Sequence, residues 1–277
     1  MRLVRFFAIA SILLAGLSFA LAQKVSLDQV PSAVKATIQK QLTGGQLVEI
    51  EEDDEEGDIN FTVQFTNKTG THRELTVSDD GALLTLEIAV EEAPTEVQKT
   101  IRAQAGQNKI KQIDKTFEEG EISYEVDLSR PGGATRSFSV DAAGKLARVQ
   151  IELADLPAAV LKTMEANLHG GKLADTFKLI DGADILFEGE IDHDGQMQDV
   201  LVAPDGKLQS VELTMAEVTG PARKTIEEKV GNGKILRIEE TTEQKQGVMP
   251  YEIEARKDGK IIRFSVGPRG RFLGMED

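Results

Sequence analysis

Three histidines, His72, His169 and His193, are the side chains best suited to proton transfer near neutral pH in this 277-residue chain. Nothing in their spacing completes a catalytic set. The sequence holds no Gly-x-Ser-x-Gly and no His-Glu-x-x-His, and no Ser/His/Asp trio is selected by position. His72 opens an expected strand, and His193 falls in an expected turn. His169 follows Leu168 at an expected helix end, where an imidazolium would meet the negative pole of the helix dipole. The chain has no cysteine, which removes thiol catalysis and thiolate metal sites. Carboxylates remain. The run Glu51-Glu52-Asp53-Asp54-Glu55-Glu56 is the densest charge cluster. It reads as a solvated hairpin tip between two strands, or as a surface that recruits a basic partner or weakly collects Ca²⁺. Asp192-His193-Asp194-Gly195 with Asp199 opens like a Ca²⁺ loop, but the closing glutamate is missing because Ala203 stands there, so the segment reads as a turn. With 47 acidic residues, paired carboxylates carry no information about a glycosidase-like dyad. No catalytic residue, cofactor or metal ligand is therefore expected.

The elements that must position these groups begin after a leader. Arg2 and Arg5, the apolar run from Phe6 to Leu17, and Ala20-Leu21-Ala22 read as a secretory signal peptide over residues 1–22, cleaved after Ala22. Its loss takes the net charge from −15 to −17. Such a balance argues against nucleic acid or an anionic membrane as partner, since both require a positive patch.

Past the leader the chain repeats itself. Thr37-Ile38, Thr100-Ile101, Thr163-Met164 and Thr225-Ile226 recur about every 63 residues. Around each Thr, apolar residues at steps of three or four mark a helix, preceded by Pro31, Pro94 and Pro157, with Pro221 two places late in the fourth copy. The period then changes to two. Expected strands in the first copy are 47–52, 60–66, 72–78 and 83–88, with an aromatic in the second strand of every copy (Phe61, Tyr124, Phe187, Tyr251). Gly81, Gly144, Gly206 and Gly270 mark the last turn. The expected fold is α+β: four tandem modules over 23–87, 88–150, 151–212 and 213–277, each one helix on a four-stranded antiparallel meander. In the third copy, Gly189 and Pro204 predict an edge strand or bulge.

The module resembles the PepSY-like family, also described as β-lactamase-inhibitor-protein-like. The resemblance is carried by Val25-Ser26-Leu27-Asp28-Gln29-Val30-Pro31-Ser32-Ala33-Val34, by Ile122-Ser123-Tyr124-Glu125-Val126, and by Ser78-Asp79-Asp80-Gly81-Ala82-Leu83. It implies an exported, periplasmic or secreted, non-catalytic protein, copies that pair into larger concave sheets, and a partner that is another exported protein, a hydrolase or peptidase among the options. It carries over no catalytic or metal residue. Candidate partner contacts read from the residues are Glu51, Glu52, Asp53 and Asp54 at the acidic tip, and Glu125, Asp127 and Arg136 as exposed strand positions. The alternative is a structural envelope component with an acidic, ion-buffering surface.

Overall fold

The computed structural model describes residues 23–55, 58–118, 120–130, 135–257 and 259–276, so the signal-peptide reading lies outside the described residues. These residues fall into two compact units, one ending at Val149 and the other starting at Gln150.

The N-terminal unit holds β1 (Gln23–Lys24), α1 (Ser32–Leu42), β2 (Gln46–Glu55), β3 (Asp58–Thr66), β4 (His72–Ser78), β5 (Leu83–Glu87), α2 (Thr95–Ala105), β6 (Lys109–Glu118), β7 (Glu121–Ser129), β8 (Thr135–Asp141) and β9 (Leu146–Gln150). The C-terminal unit holds α3 (Ala158–Ala166), β10 (Lys172–Asp181), β11 (Asp184–His193), β12 (Gln196–Val202), β13 (Leu208–Glu212), α4 (Gly220–Val230), β14 (Lys234–Thr241), β15 (Tyr251–Lys257), β16 (Lys260–Val266) and β17 (Phe272–Glu276). Helix followed by four antiparallel strands thus occurs four times. The sheets, however, do not stay four-stranded. Thr85 pairs with Thr116 and Ser210 with Thr241, which joins β5 to β6 and β13 to β14. Two helix-and-meander segments therefore share one antiparallel sheet within each unit, because the last strand of the first would otherwise be an unpaired edge.

The helices start where the sequence predicts. Pro31, Pro94 and Pro157 sit in extended conformation immediately before α1, α2 and α3, and Thr219 does so before α4, with Pro221 inside its first turn. Each helix buries a narrow apolar stripe on one sheet face. Val34 and Ile38 of α1 are fully buried against Ile50, Phe61, Val63, Leu75 and Val77; Val97 and Ile101 of α2, Val160 and Met164 of α3, and Ala222 and Ile226 of α4 are likewise buried. Among the described residues, no helix covers the other face of each sheet, to which alternate strand residues point.

The two residues that recur most strictly are a clasp. The hydroxyls of Thr37, Thr100, Thr163 and Thr225 donate to the carbonyls of Gly81, Gly144, Gly206 and Gly270 at 2.7, 2.5, 2.6 and 2.7 Å. This ties each helix to the turn between its third and fourth strands. Thr100→Val keeps shape and removes the donor, so the N-terminal unit should lose about 1–2 kcal/mol in urea unfolding, chiefly from the unsatisfied carbonyl.

The third copy corrects the sequence expectation. β11 is not an edge: it runs unbroken through Gly189 and is paired to β10 on one side and β12 on the other. Gly189 is there because a Cβ would lie 2.8 Å from Leu173 Cδ1 and 3.1 Å from Met164 Sδ, so the glycine lets α3 approach. The bulge between Leu201 and Val202 has counterparts at Thr76/Val77, Ser139/Val140 and Ser265/Val266, and marks the motif rather than this copy.

Candidate interaction surface

On the helix-free face, strand register lines acidic residues up across the sheet. In the N-terminal unit one transverse row reads Glu49, Gln64, Glu74, then Glu87, Asp114, Glu125, Ser139 and Arg148, each opposite the next across β2 to β9. The C-terminal unit has the same row in the same register: Asp175, Glu190, Asp199, then Glu212, Glu239, Glu252, Ser265 and Gly274. Adjacent strands lie about 4.8 Å apart, and like charges directly opposite one another are unfavourable. The neighbouring row is hydroxylic between two acids: Thr62, Thr76, Thr85, Thr116 and Ser123 lie between Glu51 and Asp141, with Thr85 Oγ1 donating to Thr76 Oγ1 at 3.0 Å and Thr116 Oγ1 2.6 Å from Ser123 Oγ.

Burial raises the titration of six carboxyls of the two rows, Glu74, Asp114, Glu125, Asp199, Glu212 and Glu252, whereas the Lys24 ammonium holds Glu49 down. Burial pushes Glu125 up to about 7 against the opposing charge of Arg148, helped by the carboxylates of Asp114, Asp127 and Glu118. Burial likewise lifts Asp114 to about 6, partly offset by a 2.9 Å hydrogen bond from Gln112. Glu74 and Asp127 are raised for the same reason. In the C-terminal unit, burial and then Glu188 raise Asp199 although Arg237 stands 3.5 Å away. That guanidinium is shared, lying also 3.6 Å from Glu212 and 3.0 Å from Glu239. Two of its buried nitrogens, Nε and Nη2, lack aligned hydrogen bonds, so it acts as one diffuse charge among several anions. Oxygens of Glu188, Glu190 and Asp199 come within 4.8 Å of one another, a donor set of the hard kind that divalent cations take.

The structure regroups the residues singled out from sequence. Four residues of the acidic run belong to a strand and not to a hairpin tip: Glu51, Glu52, Asp53 and Asp54 are inside β2, opposite Thr62, Phe61, Asn60 and Ile59, while Glu56 lies outside the described residues. Alternation sends Glu51 and Asp53 to the helix-free face and Glu52 and Asp54 to the other, since Glu52 pairs with buried Phe61. The cluster along the chain is therefore split in space. Glu125 and Asp127 share the helix-free face but are half-buried rather than exposed, while Arg136 pairs with buried Leu128 on the opposite face. His169 lies past the end of α3 in left-handed conformation, its Nδ1 3.1 Å from Glu217 Oε1. Asp192 and His193 end β11, paired with Met197 and Gln196, and the turn itself is Asp194-Gly195, both at positive φ, so His193 is a strand residue and not a turn residue. Sequence reading missed Glu74, Glu87, Asp114 and all of the second row but Asp199, which it grouped with the Asp192–Gly195 segment. The signal available was the outward alternation of each strand; the register that aligns strands was not.

The family profile described as "Putative beta-lactamase-inhibitor-like, PepSY-like" matches residues 20–85 and again 85–148. The two matched stretches cover the first two helix-and-meander copies, less than half of the chain. Solved structures similar to the chain include a "putative calcium-regulated periplasmic protein" of Bacteroides thetaiotaomicron, 19% identical, covering 47% of this chain and 97% of that one with a TM-score of 0.29. A "putative periplasmic protein of unknown function" from Bacteroides vulgatus is 17% identical over 46% of this chain and 98% of its own, at a TM-score of 0.29. A DUF2874 family protein of Bacteroides ovatus is 13% identical over 42% and 84%, at 0.32. No curated protein matches the sequence.

Proposed function

We propose that the chain is an exported, non-catalytic binding protein made of four PepSY-like copies, 23–87, 88–150, 151–212 and 213–277, released by cleavage after Ala22. Its helix-free sheet faces dock another exported protein, and a hydrolase or peptidase held there is inhibited or regulated. The observation that supports this reading is the transverse acid row, in which Asp114 and Glu125 are half-buried and raised by that burial at an electrostatic cost. A purely structural sheet has no use for such a cost, whereas a partner supplying cations would relieve it. The family description, inhibitor-like, is consistent with this role for residues 20–148.

A photo-crosslinking residue at Asp127, compared with one at exposed Lys99 on α2, tests the reading in an extract of exported proteins. A single stoichiometric hydrolase crosslinked from position 127 but not 99, and losing activity on mixing, supports it. Turnover of a substrate by the purified chain itself, lost on changing one carboxylate or histidine, would overturn it. The second reading, an acidic structural repeat that gathers divalent ions, is favoured by the Glu188–Glu190–Asp199 trio. It predicts steep Ca²⁺-dependent assembly without any protein partner.

A further inference from the structure

We propose that the N-terminal unit receives the ammonium group of a lysine from its partner at the end of the acid row, between Glu125 and Ser139. This rests on the docking reading above and adds the chemistry that is recognised.

The C-terminal unit contains its own example of the contact. Lys245 Nζ lies 2.8 Å from Glu252 Oε1, 2.5 Å from Glu276 Oε1 and 3.1 Å from Ser265 Oγ, so three acceptors meet the three donors of one ammonium. Ser265 also donates to Glu276. The two carboxylates hold the amine's proton more tightly, outweighing its burial. Lys245 arrives on residues 242–250, which join β14 to β15; the equivalent hairpin of the third copy, β10 to β11, is closed by residues 182–183 alone. The loop is pinned over the face by Gln246 Nε2 on Leu273 O at 2.8 Å and by Arg271 Nη2 on Gln246 Oε1 at 2.6 Å.

In the N-terminal unit Glu125 and Ser139 occupy the register of Glu252 and Ser265, and the β6–β7 connection brings no lysine. The consequence is visible at Ser139. It is 3% exposed, lies on the same face directly opposite Glu125, and its hydroxyl has no hydrogen-bond partner among the described residues. Ser265, 2% exposed, uses its hydroxyl twice. A buried hydroxyl without a partner is costly, and here it adjoins a carboxyl pushed up to about 7. The cations already near the row are Arg148 beside Ser139, Lys111 acting on Asp127, and Arg73 at 3.7 Å from Glu87. Against them stand Glu74, Glu87, Asp114, Glu125 and Asp127, which leaves a net negative face. Asp114, one strand away at about 4.8 Å, is the second carboxylate within a lysine's reach. The long fourth hairpin then acts as a plug that supplies the C-terminal row with an ammonium, whereas the N-terminal row has the buried guanidinium of Arg148 where the C-terminal unit has Gly274, and takes its ammonium from a partner.

The test uses the full chain at physiological salt and a short peptide alternating Lys and Ser, with a norleucine-for-lysine peptide as control, followed by amide NMR and calorimetry. Saturable one-to-one binding is expected, with shifts on β7, β8 and β9 and none from the norleucine peptide. Glu125→Gln should weaken it by at least about tenfold, the loss of a charge-assisted bond. Ser139→Ala, which leaves the thermal midpoint unchanged or higher, should weaken it severalfold. Lys245→Met should unplug the other row and raise the stoichiometry from one to two. Absence of saturable binding, binding untouched by Glu125→Gln, or the same shifts produced by Ca²⁺ alone with nothing added by peptide would each overturn the proposal. A failed peptide beside a successful crosslink from position 127 removes the lysine contact and leaves the docking face standing.

Discussion

A Gly144→Ala chain is expected to lose about 3–5 kcal/mol of stability in the N-terminal unit, read by urea unfolding or by hydrogen exchange in β8 and β9. Gly144 has φ +84°, and a Cβ there would sit 2.7 Å from the Glu96 carbonyl carbon and 2.9 Å from its oxygen. The left-handed conformation alone costs an L side chain about 1–2 kcal/mol. Pushing the turn away from α2 adds about 1–3 kcal/mol of overpacking and weakens the Thr100 clasp. Gly70→Ala separates the two contributions. Gly70 has φ +81° with nothing within 4 Å of the added atom, so only the conformational part, about 1–2 kcal/mol, should appear. Equal losses at both positions would show that the close approach of helix and turn is not what holds the segment together.

Glu125→Gln should do the opposite, and only above neutral pH. Folding lifts this carboxyl from an ordinary 4.5 to about 7, so the fold favours the protonated form. The associated stability is complete below about pH 4.5 and is lost as the pH climbs through about 7. The wild-type N-terminal unit should therefore become more stable as pH falls from 8 to 5. Glu125→Gln removes the ionisation cost and should raise stability by about 2 kcal/mol at pH 8, with little effect at pH 4.5, a discount on the roughly 3 kcal/mol that the full shift implies. Asp114, raised to about 6, steepens the same slope at lower pH. A loss of stability in Glu125→Gln at pH 8 would mean that the carboxylate is needed as the ionised partner of Arg148, and that the row is not short of positive charge.

Helices, strands and closing turns could be read in the sequence because each rests on local rules. The prolines before α1, α2 and α3 preset the entry to a helix, the apolar steps of three and four define its buried stripe, and the aromatics Phe61, Tyr124, Phe187 and Tyr251 alternate into the core. What was hidden depends on pairing between strands. The bulge between Ile110 and Gln112 shifts register, so nothing local aligns Asp114 with both Glu87 and Glu125. The acidic run misled for the converse reason. Four neighbours in sequence, Glu51 to Asp54, look like one patch, but β2 continues through them and sends alternate residues to opposite faces. Gly189 predicts an edge strand or bulge by its residue type alone, yet it serves helix packing, a contact made by Met164 from a different element. The Lys245 plug did leave a trace. Ile235 and Tyr251 stand 16 residues apart where Leu47 and Phe61 stand 14 apart, the mark of a longer hairpin.

The claim on which the functional reading turns is that the acid row is held half-buried without enough positive charge to satisfy it. Carboxyl-carbon NMR titration of Glu125 in the free full-length chain measures this directly. The account predicts a midpoint near 7, with Asp114 near 6. Midpoints for both in the ordinary range, near 4, would contradict it, because the row would then be solvated or already neutralised and would have nothing to gain from a cationic partner.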